Sequence, residues 1–184
     1  MFTKVNLFVQ LCVCFALFSC AKTSEEALES ALSEARYHLN TMNCSRALEA
    51  LGEVDEDKTD PDFVSVMASA IACQAGYTDT TAVTNLTNIN IGSAAFLGSF
   101  AAFPTSNETS VDAASFTKLL EGLTYILDAD TSSTPSTTQR LSDYGTAAGN
   151  DLSMQALMMI SVAIGKYFAF YGNTDAAGLK GAGT

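Results

Sequence analysis

The chain has 184 residues, of which 48% are hydrophobic and 16% are charged. A composition this apolar excludes an intrinsically disordered chain, and the length suits one domain with its own core. After residue 20 the chain carries eight basic and 20 acidic residues, a net charge of −12. Such a surface repels phosphate backbones and anionic lipids, which argues against nucleic-acid binding and against a polybasic membrane contact.

The first 20 residues have the organisation of an export signal. Lys4 precedes an apolar run from Val5 to Phe18, and the small residue Ser19 follows it. The run has about 14 residues, whereas a helix needs about 20 apolar residues to cross a hydrocarbon core. We therefore predict a signal peptide over residues 1–19 rather than a permanent transmembrane helix.

The end of this segment, Leu17-Phe18-Ser19-Cys20, resembles the lipobox of bacterial lipoproteins. Leu17 is the aliphatic residue three positions before the cysteine and Ser19 is the small residue just before it, whereas Phe18 is bulkier than the family usually has. The resemblance implies cleavage before Cys20, diacylglycerol on its sulfur and a third acyl chain on its amine. Two or three chains anchor a protein stably, and residues 20–23 are then the lipidated tether.

The residues after the cysteine indicate, by analogy, where the lipid holds the protein. Ala21 and Lys22 lack the aspartate that in this family often marks retention in the inner membrane. The expected location is the cell envelope, at the outer membrane and facing the periplasm. The alternative is ordinary cleavage after Ala21, with Ser19 and Ala21 as the small pair, which releases a soluble protein.

Five cysteines occur in the chain. Cys12 and Cys14 leave with the signal peptide and Cys20 is acylated, so Cys44 and Cys73 remain as a pair outside the cytosol, where disulfides persist. We predict a disulfide between them, which would stabilise the fold by roughly 3 to 4 kcal/mol through chain entropy. The alternative is two buried thiols. Two cysteines and one histidine are too few soft ligands for a closed zinc site.

Four helices are predicted between residues 24 and 90, each from an apolar stripe at helical spacing. Thr23 and Glu26 form a capping-box pattern at the start of the first helix. Asp60-Pro61 places a capping aspartate before a proline at the first position of the third. The other boundaries are predicted at Asn43 for the start of the second helix, Gly76 for the end of the third, and Thr80 or Thr81 for the start of the fourth, which carries Ala82, Val83, Leu86 and Ile89.

These helices repeat when the sequence is shifted by 35 residues, and the shift keeps the helical phase through a helix, a turn and a second helix. The aligned pairs are Leu28 with Phe63, Ala31 with Val66, Leu32 with Met67, Ala35 with Ala70, Ala47 with Ala82, Leu48 with Val83, Leu51 with Leu86 and Val54 with Ile89. The pattern resembles the tetratricopeptide repeat, a paired-helix unit with a period near 34. The resemblance covers residues 24–90 and implies an all-α fold of stacked antiparallel helix pairs, although the family's large aromatic and glycine are missing.

Beyond residue 90 the period is lost, but helical patterns continue. The predicted elements are a short buried helix at Ser93–Phe103, a loop at Pro104–Ser110, an amphipathic helix at Val111–Leu127, a short helix from Pro135 through Tyr144, and, after Gly149, a long apolar helix at Leu152–Tyr171.

The long apolar stretch invites a transmembrane interpretation. Gln155, Lys166 and Gly165 favour instead a central helix that its neighbours bury. The predicted all-helical domain therefore covers residues 24–172, and residues 173–184 form a glycine-rich tail that we expect to be loosely ordered.

No arrangement of catalytic residues is found, so we predict that the protein is not an enzyme and holds no cofactor or metal. His38 is the only histidine, and no serine or cysteine motif accompanies it. The acidic run Glu53–Asp57 lacks the alternating ligand spacing of a calcium loop and is predicted to be a solvated turn between helices.

Two functions are compatible with the sequence. The first is a non-enzymatic binding or scaffold lipoprotein whose helix pairs present a surface to a protein or peptide partner in the envelope. The second is a small-molecule carrier or transport accessory, with an aromatic pocket formed by Phe96, Phe100, Phe103, Tyr167, Phe168 and Phe170.

Overall fold

The computed structural model describes residues 23–86, 114–128 and 137–171, which form six helices and no strand. The all-α prediction is confirmed. The helices are α1 (Ser24–Asn40), α2 (Cys44–Leu51), α3 (Pro61–Cys73), α4 (Asp79–Leu86), α5 (Ala114–Leu127) and α6 (Thr137–Tyr171).

Local capping signals place the starts of α1 and α3. The side chain of Thr23 accepts from the Glu26 N–H, and the Glu26 carboxylate accepts in return from the Thr23 N–H at 3.0 Å, which completes the predicted capping box. At α3, the Asp60 side chain accepts from two backbone N–H groups and Pro61 is the first helical residue. Asn43 stands at the start of α2 as predicted, but its side chain makes no capping hydrogen bond.

The first hydrophobic cluster lies where α1, α2 and α3 pack together. Phe63 of α3 is fully buried in it and is the largest side chain buried this completely among the described residues. Around Phe63 the cluster contains Leu32, Ala35, Ala47, Ala50, Leu51, Val66 and Ala70.

The second cluster forms on the other side of α3, against α5 and α6. Leu119 of α5 and Met159 of α6 are fully buried there. Gly122 lets α5 approach α3 closely, because a Cβ at this position would lie 2.7 Å from the carbonyl oxygen of Ala68 and 3.0 Å from the Cβ of Ala72. Helix α3 therefore belongs to both clusters, which explains why most of its residues are buried.

The two predicted repeat units differ in how their small residues pack. Ala35 and Ala47 are buried together in the first cluster, as the resemblance implies. Their counterparts Ala70 and Ala82 are also buried, but Ala70 lies in the first cluster and Ala82 in the second. Helix α3 packs mainly on α5, and α4 packs on α6. The tetratricopeptide-like pairing therefore stays a prediction.

Two predicted boundaries are wrong. Helix α4 begins at Asp79 rather than at Thr80 or Thr81, because Thr78 is the residue whose side chain accepts from the Thr81 N–H. The short helix predicted to end at Tyr144 is followed by a kink at Gly145, where φ is 75° and ψ is 168°, but the second segment of α6 begins after this kink rather than after Gly149.

The apolar faces of α4 and α6 also differ from the prediction. Val83 was expected on the buried face of the fourth helix, yet it is half exposed, since Ala82 takes the buried position. The second segment of α6 covers Leu152–Tyr171, which was predicted to be buried by its neighbours. It exposes apolar side chains on one face. The predictions for Ile89, Ser93–Phe103, Pro104–Ser110 and residues 173–184 lie outside the described residues.

Candidate functional site

The predicted disulfide is confirmed. The sulfur atoms of Cys44 and Cys73 are bonded, and the bridge joins the first residue of α2 to the last residue of α3. Cys73 is buried and Cys44 is half-buried. The bridge thus fixes two of the three helices that enclose the first cluster.

Several predicted functional residues lie outside what the structure describes. Cys20, the predicted lipidation site, precedes the first described residue, and Phe96, Phe100 and Phe103 lie between α4 and α5. Of the other predicted pocket aromatics, Phe168 and Phe170 belong to α6 without described side chains, and Tyr167 is half exposed. The predicted aromatic pocket therefore stays a prediction.

His38 lies near the end of α1, where its Nε2 atom is 3.6 Å from a carboxylate oxygen of Glu34. Its ring also makes an edge contact with the ring of Tyr37, with centroids 5.5 Å apart. Both partners belong to the same helix as His38: Glu34 lies one turn earlier, and Tyr37 is the preceding residue. This arrangement fits the structural role predicted for His38.

The acidic connection between α2 and α3 is attached to the second half of the chain by two tyrosines. The Tyr125 hydroxyl of α5 donates to the Glu56 carboxylate at 2.7 Å, and the Tyr144 hydroxyl of α6 donates to the carbonyl oxygen of Lys58 at 2.6 Å. A hydrogen bond from the Thr59 side chain lowers the pKa of the Asp57 carboxyl. Among the described residues, no group of acidic, cysteine or histidine side chains is placed to hold a metal ion.

A groove of about 400 Å³ lies between α5 and α6, and we call it the α5–α6 groove. Among the described residues, no Lys, Arg, Asp or Glu lines it. Its lining residues are Ile126, Leu127, Tyr144, Gly149, Leu152, Ser153, Ala156, Leu157 and Ile160. Along its rim Leu157 is 55% exposed and Ile160 is 37% exposed, and nearby Met154 is 54% exposed. Exposed apolar side chains concentrated in this way mark interaction surfaces more often than isolated ones do.

The floor of the groove has small residues at helical spacing. Gly149, Ser153 and Ala156 follow one another at intervals of four and three residues, which places them on one face of α6. From Gly149 to Ile160 the lining covers about three helical turns, or roughly 16 Å at the rise of an α-helix. The α5–α6 groove therefore has the length and the small-residue floor that allow another helix to approach closely.

Helix α6 is held against α3 and α4 by a chain of polar side chains. The Gln155 amide donates to the Ser69 hydroxyl at 2.7 Å and to the carbonyl oxygen of Ser65 at 3.0 Å. Ser69 donates to the Asp79 carboxylate at 3.1 Å, and the Tyr77 hydroxyl donates to the same carboxylate at 2.6 Å. Gln155 lies between Leu152 and Ala156, so these bonds also fix the helix that forms the groove floor.

Alkaline pH is expected to destabilise the fold through Tyr77. Burial raises the pKa of its hydroxyl above the ordinary value of 10, and the charge of Asp79 adds to the effect. The phenol stays protonated in the folded protein but ionises in the unfolded chain. Stability is therefore fully present below about pH 10 and falls by up to about 1.4 kcal/mol per pH unit above it.

Urea unfolding at pH 8 and at pH 11 measures this loss. Tyr77→Phe has no ionisable group at this position and should show a smaller loss over the same interval. Tyr125, whose pKa is also raised by burial and by its hydrogen bond to Glu56, accounts for part of what remains. An unchanged pH slope in Tyr77→Phe would show that this hydroxyl does not titrate on unfolding.

The α5–α6 groove was not predicted from the sequence. From Leu152 to Ile160 only Gln155 interrupts the apolar and small residues, so the periodicity of this segment does not distinguish a buried face from an exposed one. Leu157 and Ile160 are exposed, so neighbouring elements bury this helix less than the sequence predicted. Among the described residues, no helix has the length and hydropathy of a membrane span.

Comparison with known proteins adds no further constraint. No family model matches the chain, and no curated protein and no solved structure is similar to it.

Proposed function

We propose that the protein is a membrane-anchored, non-enzymatic lipoprotein that binds an amphipathic helix of an envelope protein in its α5–α6 groove. The observation that carries the proposal is the row of exposed apolar side chains beside a groove without ionised residues. Burying such a surface against a partner removes apolar area from water, at roughly 25 cal/mol per Å².

The chemistry of the groove favours a helical partner. Helix-in-groove recognition uses apolar anchors one turn apart that lie in an apolar cleft. The groove covers about three turns of α6, and its floor carries Gly149, Ser153 and Ala156, which leave room for such anchors. An extended strand would need unpaired backbone groups at a sheet edge, and the described residues form helices only.

The membrane attachment rests on the lipobox resemblance at Cys20. Helix α1 begins at Ser24, four residues after that cysteine. Four extended residues span at most about 14 Å, so an acylated Cys20 would hold the helical domain close to the membrane surface. The expected partner is therefore a protein of the same envelope compartment.

A charge placed in the groove tests the proposal. Leu157→Glu puts a carboxylate on the apolar rim, and we expect recovery of the partner to fall at least tenfold, because the buried charge would be unpaired. Asn150→Glu is the matched control, since it adds the same charge at an exposed position of α6 that does not line the groove. The measurement is crosslinking in cells, followed by affinity purification and identification of the partner by mass spectrometry.

Two outcomes of this experiment contradict the proposal. In the first, Leu157→Glu recovers the same partner in the same yield as Asn150→Glu, which means that binding uses another surface. In the second, the unaltered protein crosslinks to no envelope protein above the background of an unrelated lipoprotein. Circular dichroism of each variant establishes that the helices are retained.

A further inference from the structure

A second cleft, of about 300 Å³, lies where the end of α1 meets the start of α4 and shares no residue with the α5–α6 groove. Two turns with left-handed backbone adjoin this cleft. One is at Met42 (φ 58°) after α1, and the other is at Gly76 (φ 78°) after α3. The disulfide between Cys44 and Cys73 joins the chain within three residues of both turns. The covalent bridge therefore fixes the two turns relative to each other.

Among the described residues that line this cleft, Asp79 is the one that is ionised. Its two carboxylate oxygens accept hydrogen bonds from the hydroxyls of Tyr77 and Ser69, and Ser69 in turn accepts from Gln155. All three donors are neutral, so they fix the position of the carboxylate without balancing its charge. Within the described part of the chain, no Lys, Arg or His forms an ion pair with Asp79, whose side chain is exposed.

The rest of the lining is uncharged and has a polar part and an apolar part. Hydroxyls of Thr80 and Thr81 supply hydrogen-bonding groups, and Leu39 and Met42 supply apolar surface. Met42 is 49% exposed and adopts a left-handed conformation that a side chain of this size rarely takes. This conformation ends α1, where the Asn43 N–H donates to the carbonyl oxygen of His38 at 2.8 Å, and Met42 forms part of the cleft lining.

We propose that this cleft binds a small organic cation, with an ammonium group on the Asp79 carboxylate and an alkyl chain against Met42 and Leu39. The carboxylate is fixed and has no cationic side-chain partner among the described residues, so it attracts a cation through charge-assisted hydrogen bonds and repels carboxylates and phosphates. A volume of about 300 Å³ is at the lower end for small-molecule sites, which suits a compact ligand. The net charge of −12 after residue 20 raises the local concentration of cations around the protein.

Three four-carbon probes test the assignment on the full-length chain by isothermal titration calorimetry: 1,4-diaminobutane, 1,4-butanediol and succinate. We expect saturable binding of one diaminobutane per chain and no saturation with the diol or the diacid. Asp79→Asn keeps the size and the hydrogen-bond acceptor but removes the charge, and it should weaken diaminobutane binding at least tenfold. Asp151→Asn makes the same charge change at an exposed position of α6 and should leave binding within twofold.

A second measurement keeps the proposal testable if Asp79→Asn does not fold. With the methionine methyl groups labelled, diaminobutane should shift the NMR signal of Met42 and leave that of Met154, which is equally exposed but lies outside the cleft. The proposal is overturned if no probe saturates, if the diol binds as tightly as the diamine, or if the two aspartate variants weaken binding equally. Equal shifts of the two methionines would overturn it as well.

Discussion

Reduction of the disulfide between Cys44 and Cys73 is expected to lower the free energy of unfolding by roughly 3 to 4 kcal/mol. The bridge closes a segment with a sequence separation of 29, and opening it restores conformational freedom to the unfolded chain. The folded state also loses the link between the start of α2 and the end of α3, on either side of the first cluster. This loss is a large fraction of the 5 to 15 kcal/mol that is typical for a whole domain.

Urea unfolding with and without dithiothreitol measures this loss as a lower midpoint. The control is a Cys44→Ser, Cys73→Ser double variant, which should be as unstable as the reduced protein and should not respond to the reductant. If reduction did not change the urea midpoint of the unaltered protein, the bridge would not contribute to stability. A response of the double variant to the reductant would trace the effect to another cysteine.

Phe63→Ala is expected to lower the free energy of unfolding by about 3 to 5 kcal/mol. Phe63 is fully buried between α1, α2 and α3, so truncation removes its transfer free energy and leaves a cavity in the first cluster. Neighbouring Ala35 and Ala47 are too small to fill that cavity. The closely packed helices that surround it are also connected by the disulfide, which restricts their collapse.

Thermal or urea unfolding of Phe63→Ala, Phe63→Leu and Tyr37→Ala distinguishes the loss of a buried side chain from the general effect of replacing an aromatic residue. Phe63→Leu keeps most of the volume and should cost less than the alanine variant. Tyr37→Ala removes a larger aromatic side chain that is 65% exposed, and it should change stability by less than about 0.5 kcal/mol. Equal losses for Phe63→Ala and Tyr37→Ala would contradict the assignment of Phe63 to the centre of the first cluster.

The elements that the sequence predicts best are those whose signals are local. The Thr23 and Glu26 capping box and the Asp60-Pro61 helix start depend on residues within one turn, and both are confirmed. The disulfide was predictable by elimination, because Cys44 and Cys73 are the only cysteines left once the first 20 residues are assigned to export and lipidation.

The features that the sequence did not predict depend on contacts between distant residues. Gln155 bonds to Ser69 across a separation of 86 residues, and Tyr144 bonds to Lys58 across the same distance. No periodicity within one helix indicates such pairs. The sequence also did not predict that α3 contributes to both hydrophobic clusters. Its residues are apolar on most sides, whereas the repeat pattern pairs it with only one neighbouring helix.

The amphipathic pattern predicts helix α5, but it does not predict which face of α6 is exposed at the α5–α6 groove. In α5 the polar and apolar residues alternate at helical spacing, and the predicted helix at Val111–Leu127 matches the described Ala114–Leu127 apart from residues that the structure does not describe. From Leu152 to Tyr171 nearly every position of α6 is apolar or small, so only the packing against α3 and α5 decides which of these side chains are exposed. The kink at Gly145 directly follows Tyr144, where the sequence predicts the short helix to end, whereas Gly149 remains helical although the long helix was predicted to begin after it.

The mass of the intact mature protein, purified from its native cell, tests the proposed envelope tether most directly. We expect a chain that begins at Cys20 and carries the added mass of a diacylglyceryl group on sulfur and one acyl chain on the amine. A chain that retains residues 1–19, or one whose Cys20 sulfur is unmodified, would contradict both the membrane attachment and the envelope partner proposed for the α5–α6 groove.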